Sequence, residues 1–384
     1  MQTKKEVYRV VKFRFKRYDG TDFERYLIVK NHIPLFRVNQ WLEIKGMRKS
    51  TTGREYAKKL SVFLNWLDRK NMSYENATNK EVRQFLHSLI FGDLKDNKVL
   101  SLQSSVSTST LNKYIAVITK FYVWLDEIVS TEMVFKKKNA NANKSYFYGQ
   151  IYSYEYKYLV DSYASMLKPS KEYTKWYDEK TKLALINNFL TLRDESVFRL
   201  TLEGMRIDEV LSVTLDSYNP TEKIVQPTRS KGRKNATSIS NQLRVIALPS
   251  DTCKIINRYI QTERFDAEIQ SQKLRQNLFI NLNQGKFQGE PLKYRNYLKI
   301  LKSCAKRAGL DENKIRTHNG RSTKTMEFLE HQALYPEDNI TDIAILESMG
   351  WRNPSSINSY RDHNNQIIAK TVMEKLHRKR ECND

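Results

Sequence analysis

Cysteine is scarce and scattered in this sequence. Cys253, Cys304 and Cys382 are the three present, and no two stand in a Cys-x-x-Cys pair. Three separated cysteines exclude a disulfide framework and offer no zinc-ligand spacing, which fits a reducing compartment. No uninterrupted apolar run approaches the length of a bilayer span. The first apolar residues alternate with Lys and Arg, so they make no signal-peptide pattern. There is no Walker-type glycine loop ending in Lys-Ser/Thr, and no clustered acidic triad of the two-metal nuclease kind. Neither a metal nor another cofactor is therefore expected. Acidic residues are also short in supply. Against 66 Lys and Arg stand 43 Asp and Glu, which leaves a net charge of +23. That balance suits a polyanion, and without a membrane span nucleic acid is a better partner than a membrane surface.

What is present is enough for real cores: 40% of residues are hydrophobic and 11% aromatic. Residues 7 to 30 read as two strands. Val11, Phe13 and Phe15 alternate with Lys12, Arg14 and Lys16, a turn falls near Asp19-Gly20, and Tyr26 to Val29 returns. Such a hairpin is either an ordinary solvated edge or a basic surface that touches DNA. Residues 50 to 130 read as helical. Tyr56, Leu60, Phe63, Leu64 and Leu67 share one face. Thr78 with Glu81 makes a capping box ahead of Val82, Phe85, Leu86 and Leu89. Leu111, Tyr114, Ile115, Ile118, Tyr122 and Leu125 make a third face. These stripes are most simply a bundle core.

The basic, aperiodic run from Lys136, Lys137 and Lys138 to Lys144 reads as a linker. A Tyr-rich segment follows, with Tyr146, Tyr148, Tyr152, Tyr154, Tyr156 and Tyr158, fit for a strand or a DNA-facing patch and most simply for packing on the next domain. Leu183 to Val213 reads as mostly helical. Residues 223 to 248 read as strands around a basic turn holding Arg229, Lys231, Arg233 and Lys234. The remainder to about residue 377 reads as mostly helical. The organisation is then a basic hairpin-like segment (1–35), a helical domain (36–135), a linker (136–175) and a mixed, mainly helical domain (176–384). The fold class is mainly α with a small β-sheet.

Five short elements of the C-terminal half stand in order. They are Glu203 to Glu209, Ser230-Lys231-Gly232, Thr317-His318-Asn319-Gly320-Arg321, Met349-Gly350-Trp351 and Tyr360. Together they resemble the tyrosine recombinases, or phage-integrase family. Gly204, Arg206 and Glu209 match that family's Gly-x-Arg-x-x-Glu turn, and Arg193-Asp194 resembles the Arg-Asp that opens the preceding helix. His318 and Arg321 match its His-x-x-Arg, and Tyr360 follows Trp351 by the family's nine residues. Gly320 stands where the family usually has Leu, and Trp351 where it more often has His. The resemblance implies a two-domain DNA clamp, with a core-binding domain and a catalytic domain. It implies catalytic roles for Arg206, His318, Arg321, Trp351 and the nucleophile Tyr360. Lys231 would be the catalytic lysine, with Lys234 as the alternative, and Glu209 would support the others. Arg229, Arg233, Lys234 and Lys136 to Lys138 would contact DNA.

The chemistry fits those residue types. A phosphodiester is anionic, and charge spreads over its non-bridging oxygens in the transition state. Paired guanidinium donors can clamp those oxygens, each donor being worth about 3 kcal/mol. Histidine accepts or shares the phenol proton near neutral pH. A lysine supplies the proton for the leaving 5′ oxygen. The covalent 3′-phosphotyrosine keeps the bond energy needed for rejoining.

The resemblance further implies double-stranded DNA sites, a dimer per site, a tetramer in the synapse, and in some members an accessory directionality factor. It places the chain in the bacterial cytoplasm with the nucleoid. A type IB topoisomerase would share the catalytic set, and a silent DNA-binding regulator would share the fold. The segment before the linker favours the recombinase layout, and the size suggests a mobile-element enzyme. Ile368, Val372 and Leu376, four apart, make one face of a C-terminal helix. That face packs on its own domain or docks on a neighbouring protomer.

Overall fold

The computed structural model describes residues 7–16, 18, 22–47, 50–92, 106–133, 136–139, 152–155, 175–227, 244–351 and 353–381. They fall into two compact units, one holding the described residues up to 155 and the other those from 175. Among the described residues the chain is mainly helical with three small sheets, as the sequence implies.

In the first unit, β1 (Tyr8–Lys16) pairs antiparallel with β2 (Asp22–Lys30), Tyr8 opposite Lys30 and Lys16 opposite Asp22. A short β3 (Ile33–Pro34) adds to β2. The expected turn residues Asp19 and Gly20 lie outside the described residues. Four helices follow: α1 (Phe36–Gly46), α2 (Ser50–Arg69), α3 (Asn79–Phe91) and α4 (Thr108–Asp126). The three apolar stripes meet in one core, where Leu60, Phe63, Leu64, Leu67, Phe85, Leu86, Ile118 and Tyr122 are buried. The start of α3 is the capping box read from the sequence. Thr78 Oγ1 accepts from the Lys80 N–H at 3.1 Å, and Glu81 accepts from the Thr78 N–H at 2.9 Å.

Two asparagines tie the sheet to the helices. Asn39 of α1 accepts from the Ile28 N–H at 2.7 Å and donates to the Ile28 carbonyl at 3.0 Å. Asn65 of α2 accepts from the N–H groups of Val7 and Tyr8 and donates to the Tyr8 carbonyl at 2.8 Å. Each side-chain amide stands in for a strand partner that the small sheet lacks. Inside the expected linker, β4 (Lys136–Asn139) pairs antiparallel with β5 (Tyr152–Glu155). Alternate tyrosines favour a pleated strand, so the strand alternative applies to those four residues.

The second unit opens with α5 (Glu179–Ile186), α6 (Leu192–Leu202) and the single turn α7 (Ile207–Val210). A three-stranded antiparallel sheet follows, β6 (Tyr218–Asn219), β7 (Ile224–Val225) and β8 (Ile246–Ala247). Then come α8 (Ser250–Tyr259), a π-helical turn (Ile260–Arg264), α9 (Phe265–Ser271) and α10 (Tyr294–Arg307). The unit ends with α11 (Asn319–Leu334), α12 (Asp342–Met349) and α13 (Ser355–Glu381).

Residues 272–293 depart from the helical expectation. Gly285 and Gly289 take positive φ there, and Ile280 bridges to Pro291. The buried Arg264 guanidinium caps this irregular backbone by donating to the carbonyls of Arg275, Asn277 and Leu278. One charged side chain thus meets carbonyls that a helix would have paired.

The first turn of α11 runs hard against the end of α6. A Cβ on Gly320 would sit 2.4 Å from Thr201 Oγ1 and 3.0 Å from the Thr201 backbone carbon. Glycine at the usual leucine position therefore lets the two helices approach at closest range.

Two outcomes test this packing. Asn39→Ala leaves the buried Ile28 N–H without its acceptor and should cost about 1–3 kcal/mol. Urea unfolding of the full chain reads the loss, and an unchanged midpoint would contradict the role given to Asn39. Gly320→Leu forces α11 away from α6 and should lower the melting temperature, by an amount typical of overpacking, about 1–3 kcal/mol or more. A melting curve identical to wild type would show that the contact yields.

Candidate active site

The site grows from a turn. The chain leaves α6 through Gly204, whose φ of +85° favours glycine. Arg206 then caps α7, and Glu209 folds back over it. Glu209 accepts from the Arg206 backbone N–H at 2.9 Å and from Arg206 Nη1 at 2.6 Å. A second guanidinium reaches the same carboxylate, with Arg244 Nη2 2.6 Å from Glu209 Oε2. Glu209 is only 2% exposed, so its charge is balanced by these two partners rather than by water.

Arg244 stands just ahead of β8. Its Nη1 donates to the Ser348 carbonyl at 2.7 Å. Gly350 ends α12 at φ +58°, and a Cβ there would lie 3.2 Å from Arg244 Cδ. The glycine thus serves both the turn and the arginine.

Arg321 lies on the first turn of α11 and is fully buried. Nη1 donates to the Gly204 carbonyl and Nη2 to the Met349 carbonyl. Nε is buried and has no hydrogen-bond partner among the described residues. Burial first, then the charges of Arg206 and Arg244, push this guanidinium down to about 9, against the opposing pull of Glu209 and Tyr360. It stays charged at neutral pH. The Trp351 ring lies 5.5 Å from its guanidinium carbon. Trp351 in turn stacks on Tyr360, with centroids 5.6 Å apart.

Tyr360 is buried among Met326, Leu329, Ile345, Met349 and Ile357. Its hydroxyl lies 3.3 Å from Ser322 Oγ, and either atom can donate. His318 is exposed and caps α11, one turn before Ser322, whose N–H binds the His318 carbonyl.

The structure therefore brings Arg206, Glu209, Arg321, Trp351 and Tyr360 together and sets His318 at the head of the helix that carries Arg321. Arg229, Lys231, Arg233 and Lys234 lie outside the described residues. Lys136, Lys137 and Lys138 lie in β4 of the other unit, where side chains are likewise outside the description. Arg193 and Asp194, in the first turn of α6, form a buried ion pair at 2.7 Å, and Arg193 Nη1 binds the Ile280 carbonyl.

Two participants escape the sequence. Arg244 is one of 66 basic residues and sits in no motif. Ser322 shows its relevance only through its contact with Tyr360. Chemically, three guanidinium groups against one carboxylate leave a centre with two excess positive charges, suited to an anion with several oxygens. Among the described residues no group of three or more His, Cys, Asp or Glu could hold a metal ion, and no helix is long and apolar enough to cross a membrane.

Comparison with known proteins gives a family and a fold. Residues 175–366 match the phage integrase family, and residues 38–127 match the phage integrase N-terminal SAM-like domain. The structure of the Tn1549 transposon integrase in complex with transposon right end DNA is 14% identical. That match covers 89% of this chain and 98% of the other, with a TM-score of 0.56. The XerH site-specific recombinase bound to palindromic difH substrate, a post-cleavage complex, is 15% identical. There the match covers 84% of this chain and 79% of the other, again with a TM-score of 0.56. The Tn1549 integrase in complex with circular intermediate DNA is 12% identical over 85% of this chain and 94% of the other, with a TM-score of 0.54. At these identities the likeness is one of fold. No curated protein is similar enough in sequence to match. The family matches span the SAM-like domain and the whole arginine–tyrosine centre, and the chain belongs to the phage integrase family of tyrosine recombinases.

Proposed function

We propose that this chain cuts and rejoins double-stranded DNA at specific sites of a mobile element, through a covalent bond between Tyr360 and the 3′ phosphate. The observation that carries this reading is the cluster of Arg206, Glu209 and Arg321 beside the stacked Trp351 and Tyr360. Tyr360 Oη attacks phosphorus, the phenol proton passes towards His318, and the bond to the 5′ oxygen breaks. Lys231, or Lys234 in its place, protonates that oxygen. Reversal with a new 5′ hydroxyl rejoins the strand.

Arg206 is the more open of the two arginines matched to the family motifs, with its side chain 22% exposed, so it supplies most of the donors to the phosphate. Arg321 offers its Nε, the buried donor left over once both Nη groups are bound to carbonyls. Trp351 packs the nucleophile and lies against Arg321. Glu209 orients Arg206 without touching DNA. Arg229, Arg233, Lys234 and Lys136 to Lys138 add phosphate contacts, and the net charge of +23 drives binding. The reading places the chain with the chromosome in the bacterial cytoplasm, with an accessory factor able to set direction.

It also includes a dimer on each site and a tetramer in the synapse. The support is on α13, where Ile368 and Met373 are exposed at 42% and 54%. The side chains of Val372 and Leu376 lie outside the description.

A nicked duplex made from the DNA flanking the gene tests the chemistry. Wild type should give a covalent adduct on a denaturing gel, and Tyr360→Phe should give none while binding within about twofold of wild type. Arg206→Ala should slow adduct formation on the order of 100-fold or more with a far smaller loss of affinity. An adduct that persists in Tyr360→Phe would assign the nucleophile elsewhere. Assembly has its own test: truncation after Asn365 should keep single-site binding and lose cooperative pairing on a full site. Unchanged cooperativity in a gel-shift titration would remove α13 from assembly.

A further inference from the structure

Arg244 belongs to none of the five motif elements, yet it touches three parts of the centre. It binds Glu209 at 2.6 Å, the Ser348 carbonyl at 2.7 Å and, more loosely, the Gly204 carbonyl at 3.5 Å. We infer that Arg244 is a positioning residue for strand cleavage, which holds the Glu209 carboxylate so that Arg206 is aimed at the scissile phosphate. The inference rests on the proposed strand-cutting activity.

The division of labour follows from the contacts. Glu209 has two oxygens. Oε1 receives Arg206 Nη1, whereas Oε2 receives both the Arg206 backbone N–H and Arg244 Nη2. Arg244 adds a charged donor at 2.6 Å to the Arg206 backbone N–H on Oε2, which resists rotation of the carboxylate about its Cγ–Cδ bond, and Oε1 presents one direction to Arg206. Arg206 is then held by one Nη at 2.6 Å, while its other Nη has only a long 3.5 Å contact to the Gly350 carbonyl. That second Nη is available to a phosphate oxygen. Arg244 has no such freedom. Both its Nη groups face protein acceptors, and its side chain is 12% exposed against 22% for Arg206. It acts through Glu209, not on DNA.

A purely structural role explains less. Arg321 already links the turn after α6 to the end of α12, through the Gly204 and Met349 carbonyls. Arg244 repeats that link and adds the bond to Glu209. Keeping a second guanidinium here has an electrostatic cost. Burial, and then repulsion from Arg206, depress its proton affinity, and Glu209 restores only part of it. A neutral side chain could fill the space beside Gly350 without that cost. What it could not do is polarise and fix a buried carboxylate.

Single-turnover cleavage of the nicked flanking duplex by the full chain decides the matter, with filter binding and thermal melting run alongside. Arg244→Ala should slow adduct formation on the order of 10- to 100-fold, the usual scale for a misaimed catalytic group. DNA affinity should stay within about twofold. Arg244→Lys keeps the charge and should recover part of the rate. The double variant Arg206→Ala/Arg244→Ala should be no slower than Arg206→Ala alone, because the second residue works through the first. Multiplying losses in the double variant would overturn the inference, as would matching falls in rate and affinity, the mark of a phosphate anchor. An active wild type with an equally fast Arg244→Ala would overturn it and leave the strand-cutting reading standing. A wild type that forms no adduct would overturn both.

Discussion

The second unit is organised around one buried carboxylate that must balance more positive charge than it carries. Glu209 faces Arg206 and Arg244 directly, and Arg321 lies close enough for all three guanidiniums to repel one another. Burying such an excess in a medium of low dielectric is unfavourable unless most donors find acceptors, and here both Nη groups of Arg244 and of Arg321 do. This requirement dictates where the surrounding backbone goes. The turn after α6 presents the Gly204 carbonyl, and the end of α12 presents those of Ser348 and Met349.

Those carbonyls are not arbitrary. The last carbonyls of a helix have no partner within it, and the negative end of the helix dipole gathers there. Two arginines placed at the C-terminal ends of α6 and α12 are therefore bonded and electrostatically offset by groups the fold has to satisfy anyway. Gly204 and Gly350 make the arrangement possible by turning the chain through positive φ. At Gly350 the missing side chain also leaves room for Arg244. The centre remains positive overall, which suits an anionic ligand.

Much of this was legible before any coordinates. The alternation of residues 7 to 30, the stripes of α2 to α4 and the Thr78–Glu81 box are local signals, and local physics sets those elements. Arg206, Glu209, Arg321, Trp351 and Tyr360 were findable because their order and spacing carry the family pattern. What stayed hidden depends on contacts between distant residues. Asn39 and Asn65 look like ordinary polar residues on helices until a strand arrives beside them. Residues 272–293 read as helix because nothing local announces that Arg264 will cap their carbonyls. Arg244 lies 35 residues from Glu209 and 104 from Ser348, and no periodicity connects them. The reason for Gly320 is of the same kind, since it lies in Thr201 and not in the motif.

The placement of the tyrosine follows a different rule from that of the arginines. Polar contacts fix Arg206, Arg244 and Arg321, whereas among the described residues Tyr360 has one weak polar contact, to Ser322 at 3.3 Å. Its position comes instead from packing. Met326 and Leu329 of α11, Ile345 and Met349 of α12, and Ile357 of α13 form a single buried cluster with it. Arg321 and Ser322 ride on the first turn of α11, and Tyr360 rides on the second turn of α13. The distance between Arg321 and Tyr360 is therefore set by how these three helices pack. Apolar packing is non-directional, whereas charge-assisted hydrogen bonds fix direction as well as distance. Arginines fixed by directional hydrogen bonds thus face a tyrosine placed by packing. Under the proposed strand-cutting reading, that combination suits a phenol that approaches phosphorus in one step and withdraws from it in the next, while the arginines hold the phosphate.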